Sequence, residues 1–483
     1  YDSQGGSVIA TEMRRDSPRL MDEDHFSVIF DTFRDSRSGY MFVTNPLGAK
    51  LEQQISEEGE GGRRGISSNI NRDWDGVWDV ASRLTPDGWV SEIAIPIVTL
   101  RFPEAESQTW GFNLMRNIRR KNEQVFWAPI PKAYGLTRVS LAGTMSGLGR
   151  VSRGIDLRVT PYALAGSRQD RLGTSLDGTG FNDVGVDVKY GVTENLTADL
   201  TYNTDFAQVE VDEQQINLTR FNLFFPEKRE FFLEGQGIFD FGRAPGFGGF
   251  GGGRGFATAA PGLFGGGDAP TIFFSRRIGL DQGQTVPIVA GGRLTGKVGD
   301  FSVGAINIQT DGTPAVDAVG TNFTVLRVKR DILRRSRIGA IFPGRSEALA
   351  GDGSNQAYGL DGAFSFGADT NLYGYYARTE TPGLAGDDQS YQAAFSYEGD
   401  LYGLLVDHLL VGDAFNPEVG FVRRDDFRRT YIYAQYSPRP ESINAVRQFT
   451  MSASLDYIEN GAGALETFFS FFSLLSKINI VLV

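Results

Sequence analysis

Residues 358–366 read Tyr-Gly-Leu-Asp-Gly-Ala-Phe-Ser-Phe. Tyr358, Leu360, Phe364 and Phe366 occupy every second position with Gly362, and the positions between them carry small or polar residues. Side chains of a β-strand point alternately to opposite faces, so this pattern predicts a strand with one apolar and one polar face. The same alternation predicts about fourteen strands, at residues 157–165, 183–190, 194–202, 271–278, 287–296, 301–309, 322–329, 336–342, 356–366, 371–379, 390–398, 403–411, 429–435 and 448–457.

The polar faces of these predicted strands carry small residues, amides and carboxylates, and aromatic residues cluster at the ends of the apolar faces. A lipid bilayer requires every backbone polar group to be paired, which a closed sheet achieves, and the inside of such a sheet can face water. We therefore interpret residues 151–483 as an antiparallel transmembrane β-barrel of about 14 or more strands. A large soluble all-β domain would also alternate and is the alternative.

Residues 1–150 have a different composition, because all five tryptophans of the chain lie within the first 127 residues. Their short apolar segments are separated by turn-forming pairs such as Asp75-Gly76 and Asp87-Gly88. Short apolar segments separated by turns, without helical periodicity, predict a half-buried antiparallel β-sandwich. The whole chain is therefore expected to be all-β. The predicted strands are residues 25–32, 39–44, 77–84, 89–95, 110–118 and 125–128.

The composition excludes several classes of function. The chain has no cysteine and only two histidines, which rules out zinc fingers, thiol redox sites and cysteine proteases. Its net charge of -12 repels a phosphate backbone, so nucleic acid is not an expected partner. The Gly-rich stretch at 242–268 lacks the Gly-Lys-Ser/Thr of a phosphate loop and is interpreted as a flexible loop at the barrel rim.

Four segments of the second half carry a resemblance to a known family: residues 203–212, 216–235 (which includes Phe-Phe-Pro-Glu-Lys-Arg-Glu-Phe-Phe-Leu-Glu), 274–279 and 415–424. Together they resemble an outer-membrane β-barrel family described as domain of unknown function 5916. The resemblance implies a barrel in the outer membrane of a Gram-negative bacterium, with membrane lipid as a partner.

Residues 30–48, 74–79, 88–96 and 110–120 are similar to a carbohydrate-binding module of family 9, a domain that precedes this kind of barrel. The resemblance implies that the sandwich binds an oligosaccharide or polysaccharide. Barrels usually have short turns and the N-terminus on the inner side, and by this analogy the sandwich is expected in the periplasm. The opening strands of that module are missing, so we expect a shortened sandwich.

Sugar recognition combines a stacking aromatic ring with polar side chains that bond the hydroxyl groups. Trp74 lies between Arg72-Asp73 and Asp75-Gly76, in a turn, and is expected to expose its ring. Trp78, Arg116 and Asn113 complete the predicted carbohydrate site, whereas Trp89 and Trp110 share faces with aliphatic residues and are expected in the core.

Charged residues between 205 and 234 stand among phenylalanines, where a charge near lipid is costly unless it faces the lumen or the rim. We therefore predict an inward or rim-lying network of Glu210, Asp212, Arg220, Glu227, Lys228 and Arg229.

Asp22, Asp24, Asp31 and Asp35 are weak candidates for calcium, since the ion prefers oxygen ligands, but their spacing matches no EF-hand loop and favours solvated turn carboxylates. No other cofactor or metal is expected. A glycosidase would need two carboxylates across a cleft, and nothing selects a pair among Asp75, Asp79, Glu92 and Glu123, so catalysis is not expected.

These features predict an outer-membrane barrel with a carbohydrate-binding-like domain that binds or takes up glycans at the cell envelope. Two alternatives stay open. The protein could be a membrane-anchored O-glycosyl hydrolase, or a structural or secretion-related barrel whose sandwich binds an envelope protein.

Overall fold

The fold was determined as a computed structural model of the 483-residue chain. The structure describes residues 7–59, 69–86, 88–103, 105–131, 134–149, 151, 156–169, 178–203, 227, 229–242, 268–281, 284–312, 319–333, 335–349, 351–367, 369–443 and 446–478.

The described residues up to position 148 form what we call the N-terminal unit, in which a seven-stranded antiparallel sheet faces a two-stranded hairpin. The sheet has the order β4-β3-β2-β1-β7-β8, with β9 also paired to β7, and the hairpin consists of β5 and β6. The strands are β1 (His25–Asp31), β2 (Gly39–Thr44), β3 (Lys50–Ile55), β4 (Ile70–Asn71), β5 (Asp79–Thr85), β6 (Gly88–Ala94), β7 (Gln108–Ile118), β8 (Glu123–Phe126) and β9 (Gly143–Leu148). The six predicted strands are confirmed with small shifts, and β3, β4 and β9 were not predicted.

Both faces of this sheet are covered. One face packs Val28, Phe42 and Trp110 against the hairpin side of the unit, and the other packs Ile29, Met41 and Leu51 against surrounding loops. Strand β1 is therefore buried on both faces, which is why its sequence is apolar at consecutive positions.

The described residues from 157 to 478 contain one antiparallel sheet of fourteen strands, which we call the large sheet. Each strand pairs with its neighbours in the chain, except that β12 pairs with β15 across a short separate hairpin of β13 (Leu280–Asp281) and β14 (Gln284–Thr285). In the described residues the end strands β10 and β25 are each paired on one side. The strands are β10 (Leu157–Gln169), β11 (Gly178–Thr193), β12 (Leu196–Tyr202), β15 (Ile288–Val298), β16 (Phe301–Thr310), β17 (Asn322–Ile332), β18 (Ser336–Arg345), β19 (Asn355–Phe366), β20 (Thr370–Glu380), β21 (Gln389–Glu398), β22 (Tyr402–Val411), β23 (Phe427–Tyr436), β24 (Val446–Asn460) and β25 (Leu465–Ile478).

Thirteen of the fourteen predicted strands are thus confirmed, as is the all-β class, but the strand predicted at 271–278 is wrong. Thr271 makes only an isolated bridge to Phe421, and Ser275–Arg277 is a 3-10 turn. Ile272 and Ile278 are buried in different apolar clusters inside the large sheet, so their spacing reflects packing and not a sheet face. The strand Leu465–Ile478 replaces it in the count and was not predicted.

The two faces of the large sheet are inverted relative to those of a soluble protein. On β12, Thr197, Asp199 and Thr201 are buried, whereas Leu200 and Tyr202 are exposed. The same holds along β19 to β22, where apolar side chains such as Leu360, Leu372, Phe395 and Leu404 point outward. The apolar face is thus the outer one, as the sequence pattern predicted.

The two ends of the large sheet also differ. At one end, five consecutive connections are only two or three residues long, after β11, β15, β17, β19 and β21. The connections at the opposite end are mostly longer, and only the one from β24 to β25 is as short as four residues. The N-terminal unit contacts the short-turn end, through Lys297, Asp331 and Ser336.

Three chain segments pack inside the large sheet: residues 227–242, 268–279 and 412–427. The first contains the single α-helix of the described residues, α1 (Glu230–Leu233), and the 3-10 turn Gln236–Ile238. Its Phe231, Phe232 and Phe239 pack on Ile306 and Ile308 of β16. No helix within the described ranges is long and apolar enough to cross a membrane.

Candidate functional site

The predicted carbohydrate site is not an exposed surface. The expectation that Trp74 exposes its ring is wrong, because its side chain is 6% exposed and lies 5.1 Å from the ring of Tyr40. Trp78 is 2% exposed, and its Nε1 donates a hydrogen bond of 2.8 Å to Glu52 Oε2. Long-range contacts with strand β2 draw both rings into the core although their sequence neighbours form turns.

The two predicted polar partners lie on β7. Asn113 is buried, and its amide bridges to a neighbouring segment: Nδ2 donates to the Ala128 carbonyl, and Oδ1 accepts from the Ala128 amide at 2.8 Å. Arg116 is half-buried, three residues further along the strand. Asn113 thus serves the fold, and a role for either residue in sugar binding stays a prediction.

Trp127, just after β8, is the tryptophan with the most exposed ring. Its side chain is 57% exposed, and its ring stands edge-on to Phe112 at a centroid distance of 5.6 Å. The sequence did not single it out, because Trp127 falls within the strand predicted at residues 125–128. Of the tryptophans predicted in the core, Trp110 is buried and Trp89 is half-buried.

Three of the four aspartates considered for calcium are held by protein groups, and the expectation of solvated carboxylates is wrong for Asp24 and Asp31, which are both buried. Asp24 accepts the Ile9 amide at 2.6 Å, and Asp31 accepts the amides of Asp35 and Ser36. Asp35 also binds Lys297 of the large sheet. Within the described part of the chain, no three His, Asp or Glu side chains are grouped so as to hold a metal ion.

The predicted inward network is described at two positions. Glu227 and Arg229 are both buried, with Arg229 Nη2 at 2.7 Å from Glu227 Oε2, and Ser275 donates to the same carboxylate at 2.6 Å. Arg229 also donates to the carbonyls of Ser275 and Ile278, so the pair joins two of the segments that pack inside the sheet. Glu210, Asp212, Arg220, Lys228 and most of the Gly-rich stretch lie outside the described residues.

The largest group of paired charged side chains described here lies between the N-terminal unit and the large sheet, and the sequence did not predict it. Five ion pairs join the N-terminal unit to the large sheet and to the first segment packed inside it, residues 229–242, which we call the interior segment. We call these five pairs the charged seam. In two of them the N-terminal unit supplies the cation, and in three it supplies the carboxylate. They are Arg37–Asp331, Arg101–Glu234, Lys297–Asp35, Arg337–Glu57 and Arg335–Glu58.

The geometry of the charged seam is specific. Arg37 Nη1 donates to Asp331 Oδ1 at 2.7 Å, while its Nη2 donates to the Ser336 carbonyl at 2.6 Å. Arg337 Nη1 lies 3.3 Å from Glu57 Oε1. Because the signs alternate between the two partners, a rotated or shifted docking would bring like charges together.

The electrostatics of the seam favour its ionised form. Burial opposes ionisation of Asp35, but Lys297 outweighs it and lowers the pKa of the Asp35 carboxyl to about 2. Burial likewise opposes ionisation of Glu234, yet Arg101 and Lys189 hold the pKa of that carboxyl well below its usual range. Nearby Asp31 behaves in the opposite way, because burial first and the charge of Asp35 second raise the pKa of the Asp31 carboxyl to about 7.

A cavity of about 130 Å³ lies between the N-terminal unit and the large sheet, and we call it the chamber. Its wall includes five cationic and four acidic side chains. The charged ones are Arg37, Arg101, Lys297, Lys329, Arg337, Asp35, Glu57, Asp240 and Asp331. Such a wall suits a small polar or charged molecule better than an apolar one.

A local signal for these residues does exist in the sequence. Arg327 and Lys329 stand at alternate, buried positions of β17, on either side of the exposed Val328. Charges on the inner side of a predicted membrane strand mark functional sites. The residues of the N-terminal unit that line the same chamber could not be inferred, because no local pattern connects residues so far apart in the chain.

Comparison with known families finds one match: residues 154–244 match the family described as domain of unknown function 5916. This segment covers β10 to β12 and the first interior segment, and it supports the resemblance noted from the sequence. The match does not reach the N-terminal unit, so the likeness to a carbohydrate-binding module stays a prediction. No curated protein matches the chain significantly.

Solved structures of outer-membrane proteins are similar over much of the chain at low identity. OccK3 (OpdO) of Pseudomonas aeruginosa is 9% identical, with 94% of each chain covered and a TM-score of 0.28. OccK2 (OpdF) of the same organism, solved with glucuronate, is 11% identical over 94% of this chain and 98% of its own, with a TM-score of 0.27. OmpT of Vibrio cholerae is 12% identical over 66% of this chain and 92% of its own, with a TM-score of 0.26. These superpositions are too loose to bear on the fold, which rests on the strand order and register given above.

Proposed function

We propose that the large sheet closes into a β-barrel in the outer membrane of a Gram-negative bacterium and that the protein takes up small polar solutes there. One observation carries the proposal: the outward side chains of the sheet are apolar and exposed, and the inward ones include buried charges. In water this arrangement would leave a large apolar surface exposed, whereas in lipid it is the favourable one.

The proposed orientation places the N-terminal unit in the periplasm. Bacterial barrels have short turns on the periplasmic side and longer loops outside. The charged seam joins the N-terminal unit to the short-turn end of the sheet, next to the two-residue turn after β15. In this position the N-terminal unit covers the inner mouth of the barrel.

In this proposal a solute leaves the barrel through the chamber. The charged wall of the chamber belongs in part to the cover and in part to the barrel, so loosening the charged seam would open a path. Ion pairs suit such a reversible contact, since they specify one orientation without the large apolar area of a permanent interface.

We further propose that glycans are among the solutes, with the N-terminal unit as the part that binds them. The exposed ring of Trp127 supports this part of the proposal, because it could stack on the apolar face of a sugar. The ring stands on the N-terminal unit and not in the lumen.

Membrane insertion can be tested with single cysteines, because the natural sequence has none. Leu360→Cys places a probe on the outer face of β19, where Leu360 is 65% exposed, and the control Val90→Cys places one on β6 of the N-terminal unit, where Val90 is 50% exposed. Each variant is labelled with an environment-sensitive fluorophore and reconstituted into phosphatidylcholine vesicles. Lipids with a nitroxide on the acyl chain should quench the probe at position 360 strongly and the probe at position 90 weakly.

Equal quenching at the two positions, or free labelling of Leu360→Cys in vesicles by a membrane-impermeant maleimide, would contradict insertion. Uptake is tested separately, by the swelling rate of the same vesicles in isotonic small sugars and sugar acids. Vesicles that insert the protein yet swell no faster than protein-free lipid would leave a barrel without the proposed transport.

A further inference from the structure

The chamber wall contains one basic side chain that forms no ion pair in the charged seam. Lys329 of β17 lines the chamber and is 6% exposed. Its Nζ donates to the carbonyl of Gly237 at 2.6 Å. Among the described residues no carboxylate lies within ion-pair distance of it, whereas each other cation of the chamber wall has one.

A buried ammonium with a single carbonyl acceptor is energetically costly, because the carbonyl satisfies only one of its three N–H groups and none of its charge. Three of the carboxylates on the wall are already occupied: Asp35 by Lys297, Glu57 by Arg337 and Asp331 by Arg37. Asp240, the fourth, lies on the interior segment. A small anion would supply the missing negative charge.

The chamber has the size and the donors for such a molecule. One water needs roughly 10–15 Å³ of space open to a water-sized probe, so a cavity of about 130 Å³ holds several waters or one small anion. Ser302 of β16 and Asn195 of the turn after β11 add a hydroxyl and an amide to the same wall.

We propose that the chamber is a binding site for a small carboxylate or phosphate anion, with the Lys329 ammonium as its charged partner. The anion binds beside the Lys329 ammonium of β17, in the space between the large sheet and the N-terminal unit. The site would make the junction between cover and barrel selective for acidic solutes. The inference extends the proposed function, but its test needs neither a membrane nor transport, so the two can fail separately.

The test is calorimetric titration of the full chain in detergent with acetate and, separately, with inorganic phosphate. At least one of the two anions should bind saturably, and the pair of titrations distinguishes a carboxylate site from a phosphate site. Lys329→Met keeps the length of the side chain and removes its charge, and it should weaken binding at least tenfold. Arg330→Met is the matched control, since Arg330 is the next residue, faces outward and stacks over Phe301.

Ser302→Phe is a second variant, which keeps Lys329 and fills the chamber. If Lys329→Met does not fold, Ser302→Phe tests whether the anion binds in the chamber. It should abolish binding while retaining the strand signal in circular dichroism. The proposal is overturned if neither anion binds the natural chain, or if Lys329→Met or a folded Ser302→Phe binds as tightly as the natural chain does.

Discussion

Arg37 and Asp331 lie 294 residues apart in the chain and form a direct ion pair, with Arg37 Nη1 donating to Asp331 Oδ1 at 2.7 Å. Arg37 follows β1 in the N-terminal unit, and Asp331 is near the end of β17 in the large sheet. This contact, repeated with both polarities along the charged seam, holds the N-terminal unit over one end of the sheet.

The Arg37–Asp331 pair should be exchangeable. Arg37→Asp is expected to weaken docking by about 1–3 kcal/mol, because it leaves Asp331 facing a like charge. The double variant Arg37→Asp with Asp331→Arg should recover much of that loss. The reporter is a single cysteine at Ser302 in the chamber, whose labelling by a hydrophilic maleimide should accelerate in the single variant and slow again in the double variant. A double variant that labels as fast as the single one would show that the pair does not contribute to docking.

The stability of the N-terminal unit should depend on pH through Asp31. Burial and the charge of Asp35 raise the pKa of Asp31 from 3.8 to about 7. A raised folded-state pKa favours folding most at low pH, so this contribution, at most about 4 kcal/mol, is lost as the pH rises from about 4 to 7. Urea unfolding followed by tryptophan fluorescence measures the free energy of unfolding. From pH 4 to pH 7 this free energy should rise in Asp31→Asn relative to the natural chain. A constant difference between the two proteins from pH 4 to pH 8 would refute the assignment.

Docking should weaken in acid through Asp35. Lys297 outweighs burial and lowers the pKa of Asp35 from 3.8 to about 2, so the stabilisation is present above pH 4 and is lost as the pH falls through about 2. Labelling of the cysteine at Ser302 by a dipyridyl disulfide, which reacts with thiols in acid, is compared with labelling of the exposed Val90→Cys. The ratio of the two rates should rise between pH 4 and pH 2 in the natural background and change less in Lys297→Met. Identical acid profiles in the two backgrounds would exclude Asp35 as the titrating group.

Two glycines of the large sheet receive rings from the interior segment. A Cβ added at Gly359 would lie 2.5 Å from Phe241 Cζ, and one at Gly304 would lie 2.7 Å from Phe239 Cζ. Gly359→Ala should therefore cost about 1–3 kcal/mol through overpacking, and Phe241→Leu should relieve part of that cost. Gly292→Ala is the control, since its new Cβ would meet only Leu200 at 3.4 Å. Denaturant unfolding in detergent compares the natural chain with Gly359→Ala, Gly359→Ala combined with Phe241→Leu, and Gly292→Ala. Equal losses of unfolding free energy in the two single glycine variants would exclude the contact with Phe241 as the cause.

The glycan proposal makes Trp127 and Trp74 behave differently. Trp127→Ala should weaken binding of oligosaccharides while changing stability little, because its ring is exposed. Trp74→Ala should cost about 3–5 kcal/mol of stability, since it empties a site packed against Tyr40 and Phe42. A fluorescence titration with an oligosaccharide panel reports on both variants. Binding that survives Trp127→Ala unchanged would exclude that ring as the sugar platform.

Strand positions were predictable from the sequence because the two-residue period is local. The outward Leu360 and the inward Asp361 of β19 differ in environment for a reason visible in nine consecutive residues. The pair Glu227–Arg229 was likewise predictable as inward, since charges two residues apart among phenylalanines have few other places to lie. Trp74 was misjudged because its neighbours form a turn, while burial of its ring depends on β2, more than 30 residues earlier in the chain.

By itself, then, the sequence determined the all-β class, most of the strands and the sense in which the faces of the large sheet point, because each follows from the alternation of neighbouring side chains. Only the tertiary structure decided that the N-terminal unit docks at the short-turn end, that residues 227–242 pack inside the sheet, and that Lys329 lies in a chamber without a carboxylate partner among the described residues. These features arise from contacts between residues up to about 300 positions apart, and chain topology, not local periodicity, sets such contacts.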